Sequence, residues 1–250
     1  MLRKRVIPLL LLHNGGLYKT TKFKCPVYVG DPINVTQIFN KKEVDELIVL
    51  DIDATRNNTP PNLDLIDKIA SQCFMPLTYG GGINNLTIAR DIMSLGVEKL
   101  SLQSSLTNNP RLISDLVNIY GTQCIVGSID LHSKDGISYQ VYDYKTGSCL
   151  KIRYMDFIQN LINLGVGEIL INFVNLDGTK KGIDLDVINK ISSSFSIPFI
   201  FCGGISDYKN IINSFDSGAN AIAAGSLFYF YGKHKAVLID YPSELEVTRC

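Results

Sequence analysis

The chain has 250 residues, of which 46% are hydrophobic and 19% charged, and its 24 Lys and Arg balance 24 Asp and Glu. That balance excludes the basic field a nucleic-acid binder needs, and no run reaches the ~18 apolar residues of a membrane span. The length fits one α/β barrel as well as it fits two smaller domains.

The chain opens on Arg3-Lys4-Arg5 followed by Val6-Ile7-Pro8-Leu9-Leu10-Leu11-Leu12. The apolar run is short, contains a proline and meets no small-x-small site, so it reads as a buried strand rather than a secretory leader. Seven more apolar runs follow. The predicted strands are Arg5–Leu12, Glu46–Asp53, Pro76–Tyr79, Lys99–Gln103, Cys124–Asp130, Glu168–Phe173, Pro198–Cys202 and Ala221–Gly225. Most are too apolar for a sheet with one wet face.

Helix starts are predicted between them. Asp31-Pro32 and Asn109-Pro110 place a capping side chain before a proline, and Asn85, Asp184 and Asp207 are further N-caps. Gly96, Gly121, Gly165 and Gly218 mark helix ends. Eight β-then-α units in this length predict a single (β/α)8 TIM barrel over 1–250. Residues 138–152 interrupt the pattern and read as a small hairpin arm after the fifth strand.

An internal repeat halves the barrel. Met75 to Ile83 resembles Ile197 to Ile205, and Ser104-Ser105 corresponds to Ser226-Leu227 at the same offset. Each half therefore has a glycine cluster after one strand and a serine after the next. At the C-terminal rim, such glycines expose backbone N–H groups to an anion and the serines add hydroxyls. The duplication predicts two phosphate sites.

Asp130 ends the fifth strand, where a carboxylate is placed for proton transfer. Asp177-Gly178-Thr179 follows strand six, and Lys19 is expected as a mobile cation in the loop after strand one. At the opposite end, Arg5, Glu46, Lys99 and Glu168 open strands one, two, four and six. Side-chain alternation puts Arg5 on the face of Ile7, Leu9 and Leu11, and Glu168 on that of Leu170 and Asn172; if those faces point inward, the four charges neutralise each other on the barrel floor, as a stability feature or as a gate for something small passing along the axis. The six cysteines (Cys25, Cys73, Cys124, Cys149, Cys202, Cys250) form no C-x-x-C pair, and His13, His132 and His234 are far apart. Reduced thiols, no metal and no cofactor are the expectation, in a cytoplasmic protein.

These residues, together with Gly30-Asp31-Pro32, Asp45-Glu46-Leu47, Leu77-Thr78-Tyr79-Gly80-Gly81-Gly82-Ile83 and Leu176-Asp177-Gly178-Thr179-Lys180, resemble the cyclase subunit of imidazole glycerol phosphate synthase. The resemblance covers essentially the whole chain, from Met1-Leu2 onward. In that family a glutaminase docks on the barrel floor, and its ammonia crosses the barrel to a bisphosphorylated substrate. The resemblance implies that Arg5, Glu46, Lys99 and Glu168 form the ammonia gate and that Glu98 contributes to glutaminase docking. It likewise implies phosphate binding at Gly82, Ser104, Asp177, Gly178, Gly204, Gly225 and Ser226, and catalysis at Lys19 and Asp130.

The departure is on strand one, where Leu9-Leu10-Leu11 replaces the Cys-Leu-Asp whose aspartate partners Asp130 in the family. Leucine moves no proton, and such a loss removes ~10²–10⁴ in rate. Asp53 is disfavoured as a substitute by its side-chain parity. Gln103 and Asn172 also differ from the family's usual residues. The reading is a divergent paralogue that passes ammonia to a separate ATP-dependent sugar-amidating enzyme in surface-polysaccharide biosynthesis. The alternatives are an authentic cyclase of histidine biosynthesis and a partner-free phosphate-barrel isomerase.

Overall fold

The computed structural model describes residues 3–231 and 236–241; Met1, Leu2, His234 and Cys250 lie outside the described residues. Eight parallel strands close on themselves: β1 (Arg5–His13), β2 (Leu47–Asp51), β3 (Leu77–Gly80), β4 (Lys99–Leu102), β5 (Ile125–Ser133), β6 (Glu168–Phe173), β7 (Phe199–Cys202) and β8 (Ala221–Ala224). Each pairs with the next, and β1 meets β8 with Arg5 opposite Ala221, which completes the (β/α)8 barrel. The strands form here because both faces are buried. Val6, Leu10 and Leu12 pack outward against helices, whereas Ile7 and Leu9 join Ile48, Val126, Leu170 and Ile200 in a separate cluster inside. Each such side chain contributes roughly 1.5–3 kcal/mol on burial.

Among the described residues, seven longer helices surround the barrel: α1 (Pro32–Lys41), α2 (Leu63–Ala70), α3 (Leu86–Ser94), α4 (Pro110–Tyr120), α5 (Tyr154–Asn163), α6 (Leu185–Ser194) and α7 (Tyr208–Asp216). Four of the predicted caps form as expected: Asp31, Asn85, Asp184 and Asp207 each accept a backbone N–H from the first turn. Asn109 precedes α4 but makes no side-chain cap bond. Gly96, Gly165 and Gly218 follow α3, α5 and α7 with positive φ. Gly121 does so after α4 but with ψ near 159°, outside the left-handed helical basin.

The described residues add three features to this outline. After β8, the described residues form only the single turn Ser226–Tyr229 and a short strand pair, Phe230–Tyr231 with Ala236–Val237, so an eighth full helix is not seen there. The arm after β5 is real, with strands at Tyr139–Asp143 and Ser148–Cys149. Its first strand extends the barrel sheet, because β5 runs on to Ser133 and pairs Asp130 with Tyr142. A second hairpin, Gly16–Thr21 with Lys24–Gly30, follows β1 where a loop was expected. Its turn puts Lys22 and Phe23 at positive φ. Among the described residues, no helix is long and apolar enough to cross a membrane.

Candidate functional site

The C-terminal ends of all eight strands surround one cavity of about 330 Å³. Its rim carries the duplicated motifs. Gly82 and Ser104 border it on one side, and Asp177, Gly178, Gly204, Gly225 and Ser226 on the other. In each half a serine opens a one-turn helix, Ser104–Asn108 and Ser226–Tyr229. Glycine is required at Gly203, where φ is +94° and a Cβ would lie 2.7 Å from the Phe173 carbonyl oxygen. The Gly82 amide is already engaged, donating to Thr55 Oγ1 at 2.9 Å.

Asp130 lies on this cavity, 6% exposed. Gln103 Nε2 donates to its Oδ2 at 2.6 Å, and Asn172 Nδ2 reaches its Oδ1 at 3.4 Å. Burial pushes its carboxyl up to about 7, although both amides oppose the rise. Leu11 borders the same cavity, partly exposed. Asp53 does not; its carboxylate lies 2.7 Å from His13 Nδ1 and takes the Asn14 amide, beside a separate, smaller cavity. Asp53 thus stands outside the site, as its side-chain parity predicts.

Lys19 departs from expectation. It sits on the first hairpin strand, 5% exposed, and its ammonium donates to the Leu9 carbonyl and lies 5.0 Å from the Tyr229 ring centre. It is a buried, anchored cation and not a mobile loop residue. Burial lowers its pKa to about 8 against the opposing pull of Asp177. The hairpin is pinned in turn to the loop after β6: Thr20 Oγ1 donates to Asp177 at 3.1 Å, and the Lys22 amide to the Asp177 carbonyl at 3.0 Å. Phe23 then meets Tyr142 of the other arm at 6.4 Å, so both hairpins overhang the mouth. Lys22, Lys24 and Arg56 add cations to the cavity wall that the motifs did not single out, and Lys180, the last residue of the Leu176–Lys180 motif, joins them; the Lys22-Phe23-Lys24 triplet was the available signal for the first two.

The floor charges meet as expected. Arg5 pairs with Glu46 at 2.5 Å and with Glu168, while Lys99 pairs with Glu46 at 3.0 Å and Glu168 at 3.1 Å. Thr78 Oγ1 donates to Glu46 at 3.0 Å. Two cations and two anions alternate in a closed ring, an arrangement that offsets the desolvation of each. Glu98, next to Lys99 in sequence, is exposed and accepts the Leu77 amide at 2.7 Å. The cysteines divide: Cys202 is buried inside the barrel and Cys25 is exposed, while Cys73, Cys124 and Cys149 lie between.

A family model described as "Histidine biosynthesis protein" matches residues 5–234. A Pseudomonas aeruginosa protein named "Putative imidazole glycerol phosphate synthase subunit hisF2" is 47% identical, over 97% of each chain. A Vibrio vulnificus protein named "Putative imidazole glycerol phosphate synthase subunit hisF3" is 43% identical, over 98% of this chain and 95% of its own. The "Imidazole glycerol phosphate synthase subunit HisF" of Clostridium botulinum strain Kyoto is 37% identical, over 92% of each.

Proposed function

The chain belongs to the histidine biosynthesis protein family, and from that premise we propose that it is the synthase subunit of a glutamine amidotransferase complex with its own cyclase chemistry lost. A glutaminase subunit docks on the floor beside Glu98 and releases ammonia at the Arg5/Glu46/Lys99/Glu168 ring. The ammonia crosses the barrel and leaves at the upper cavity. There a separate ATP-dependent enzyme uses it to turn an acetamido sugar into an acetamidino sugar for surface polysaccharide.

The observation that carries this reading is Leu11. It borders the cavity at the place where the resembled cyclases hold the acid/base partner of Asp130. Asp53 does not replace that partner, because it turns away to His13. Meanwhile the floor ring keeps all four charges and all their pairings. Such a combination preserves passage and removes one half of a proton-transfer pair. The names of the Pseudomonas and Vibrio relatives, which carry numbered suffixes, accord with a paralogue. Gly82 and Ser104, and separately Asp177, Gly178, Gly204, Gly225 and Ser226, are assigned to holding phosphates of a bound ligand, flanked by Lys22, Lys24, Arg56 and Lys180.

The test is direct. Purified with its glutaminase, the chain is mixed with the bisphosphorylated ribulosyl intermediate and imidazole product is measured. No turnover above background is expected, while glutamine hydrolysis proceeds. Robust cyclisation, or rescue of a histidine auxotroph lacking its own cyclase, establishes the alternative of an authentic histidine-pathway enzyme.

A further inference from the structure

Within the barrel, one strand carries a polar file from floor to mouth. Lys99, Ser101 and Gln103 alternate onto the inward face of β4 and its continuation, and cover about 13 Å at the rise of an extended chain. Lys99 is held below by Glu46 and Glu168, and Gln103 is bonded above to Asp130. Between them Ser101 is 4% exposed, borders the cavity, and has a hydroxyl with no hydrogen-bond partner. Apolar side chains of Ile7, Leu9, Ile48, Leu170 and Ile200 make up much of the remaining wall.

The file ends in a second unsatisfied group. Asn172 gives its Nδ2 to Asp130, and its Oδ1 is buried without a partner. An orphaned buried polar atom costs roughly 1–3 kcal/mol, so two of them along one path mark places where a small polar guest completes the bonding. Leu11 leaves no second carboxylate at this spot to compete for that guest.

We propose that Asp130, Asn172 and Ser101 form an ammonia-holding station at the barrel exit, where the Asp130 carboxyl protonates arriving ammonia and keeps the ammonium as an ion pair. The station rests on the ammonia-conveying function above and specifies how its exit works. Ammonia passes the apolar section neutral, since an unpaired charge there is too costly. Ser101 bonds it in transit. At Asp130 the carboxyl O–H bond breaks and one N–H bond forms, giving carboxylate and NH4+, and Asn172 Oδ1 accepts a hydrogen bond from one N–H of the ammonium. Reversal returns the proton to Asp130 and frees NH3 for the acceptor, so no proton is consumed.

The surroundings support a carboxyl able to carry that proton at neutral pH. Burial raises Asp130, and Asp177 after β6 and Asp143 on the arm push in the same direction. Cys202 on β7 is buried and stays a thiol, Tyr142 lies across the strand pair, and the nearby cation Lys19 is bound to Leu9 and Tyr229.

The experiment uses the full chain labelled with carboxyl-¹³C aspartate, titrated with ammonium chloride at constant ionic strength and pH 7.5. The Asp130 resonance is the one absent from Asp130→Asn. It is expected to shift saturably with ammonium and not with sodium, and Asn172→Leu or Ser101→Ala, each checked for a native spectrum, weakens that response at least five-fold. An unresponsive resonance, an equal response to sodium, or unchanged binding in both variants overturns the station. Transfer of nitrogen from amide-¹⁵N glutamine, measured in the glutaminase complex, separates the two ideas. Transfer without an ammonium response at Asp130 removes the station alone, and an ammonium response without transfer removes the conduit.

Discussion

Lys99 and Glu46, 53 positions apart in sequence, meet at 3.0 Å on the floor of the barrel, and the Glu46 side chain is only 2% exposed. The pair is half of a ring in which each carboxylate touches both cations. Removing one cation leaves two carboxylates sharing Arg5. Lys99→Met is therefore expected to destabilise the fold by about 3 kcal/mol, as one-sided removal from a buried pair does, measured by urea unfolding at pH 7.5. A loss under about 1 kcal/mol means the ring contributes little to stability.

Restoring the lost acid gives the sharpest functional test. Leu11→Asp places a carboxylate on the cavity wall that already holds Asp130. Cyclisation of the ribulosyl intermediate is expected to rise at least ten-fold over background, below what a well-positioned acid/base group supplies. No gain in a folded variant shows that the cavity differs from a cyclase site by more than this residue.

Asp130 makes stability depend on pH. Its folded pKa, about 7, lies above the unfolded value of 3.8, so the folded chain binds more protons between these limits. Its contribution to stability falls as pH rises through that window. Asp130→Asn escapes the penalty. The variant is expected to gain on the parent by up to about 4 kcal/mol between pH 4 and pH 8, read from parallel denaturation curves. A constant difference across that range contradicts a buried, raised carboxyl.

Lys19 produces a trend at the alkaline end. Burial lowers its pKa from 10.5 to about 8, so the unfolded chain binds more protons between these values. The penalty of burying the ammonium is complete below pH 8 and is relieved as pH rises to 10.5. Relative to Lys19→Met, the parent is expected to gain about 3 kcal/mol over that window. Thermal melts of both proteins at pH 7.5 and 10 read most of it; parallel shifts would show an exposed, freely charged lysine.

The barrel strands were legible because burial on two faces writes continuous apolar runs, and β6 begins and ends where its run does, at Glu168 and Phe173. The hairpin after β1 left no such trace. The first five residues of Lys24–Gly30 are exposed, so nothing forced an apolar pattern on them, and Lys19, Lys22 and Lys24 made the segment look like a solvated loop. Asn109 failed as a cap although its sequence context was favourable: its φ of −149° and ψ of 69° depart from the extended backbone of Asp31.

The sequence by itself determined the number of barrel strands, the faces on which Arg5 and Glu168 lie, the Gly and Ser duplication, and the leucine in place of an acid. All of these are encoded by local periodicity or by residue identity. Only the tertiary structure decided that Gln103 bonds Asp130, that Asn172 and Ser101 are left with unfilled bonding capacity, and that Lys19 is sealed against Leu9 and Tyr229. Those outcomes depend on barrel closure, which sets strand ends from distant parts of the chain within a few ångströms of each other. A hydrogen-bond partner is chosen at that distance, and side-chain alternation along a single strand carries no information about it.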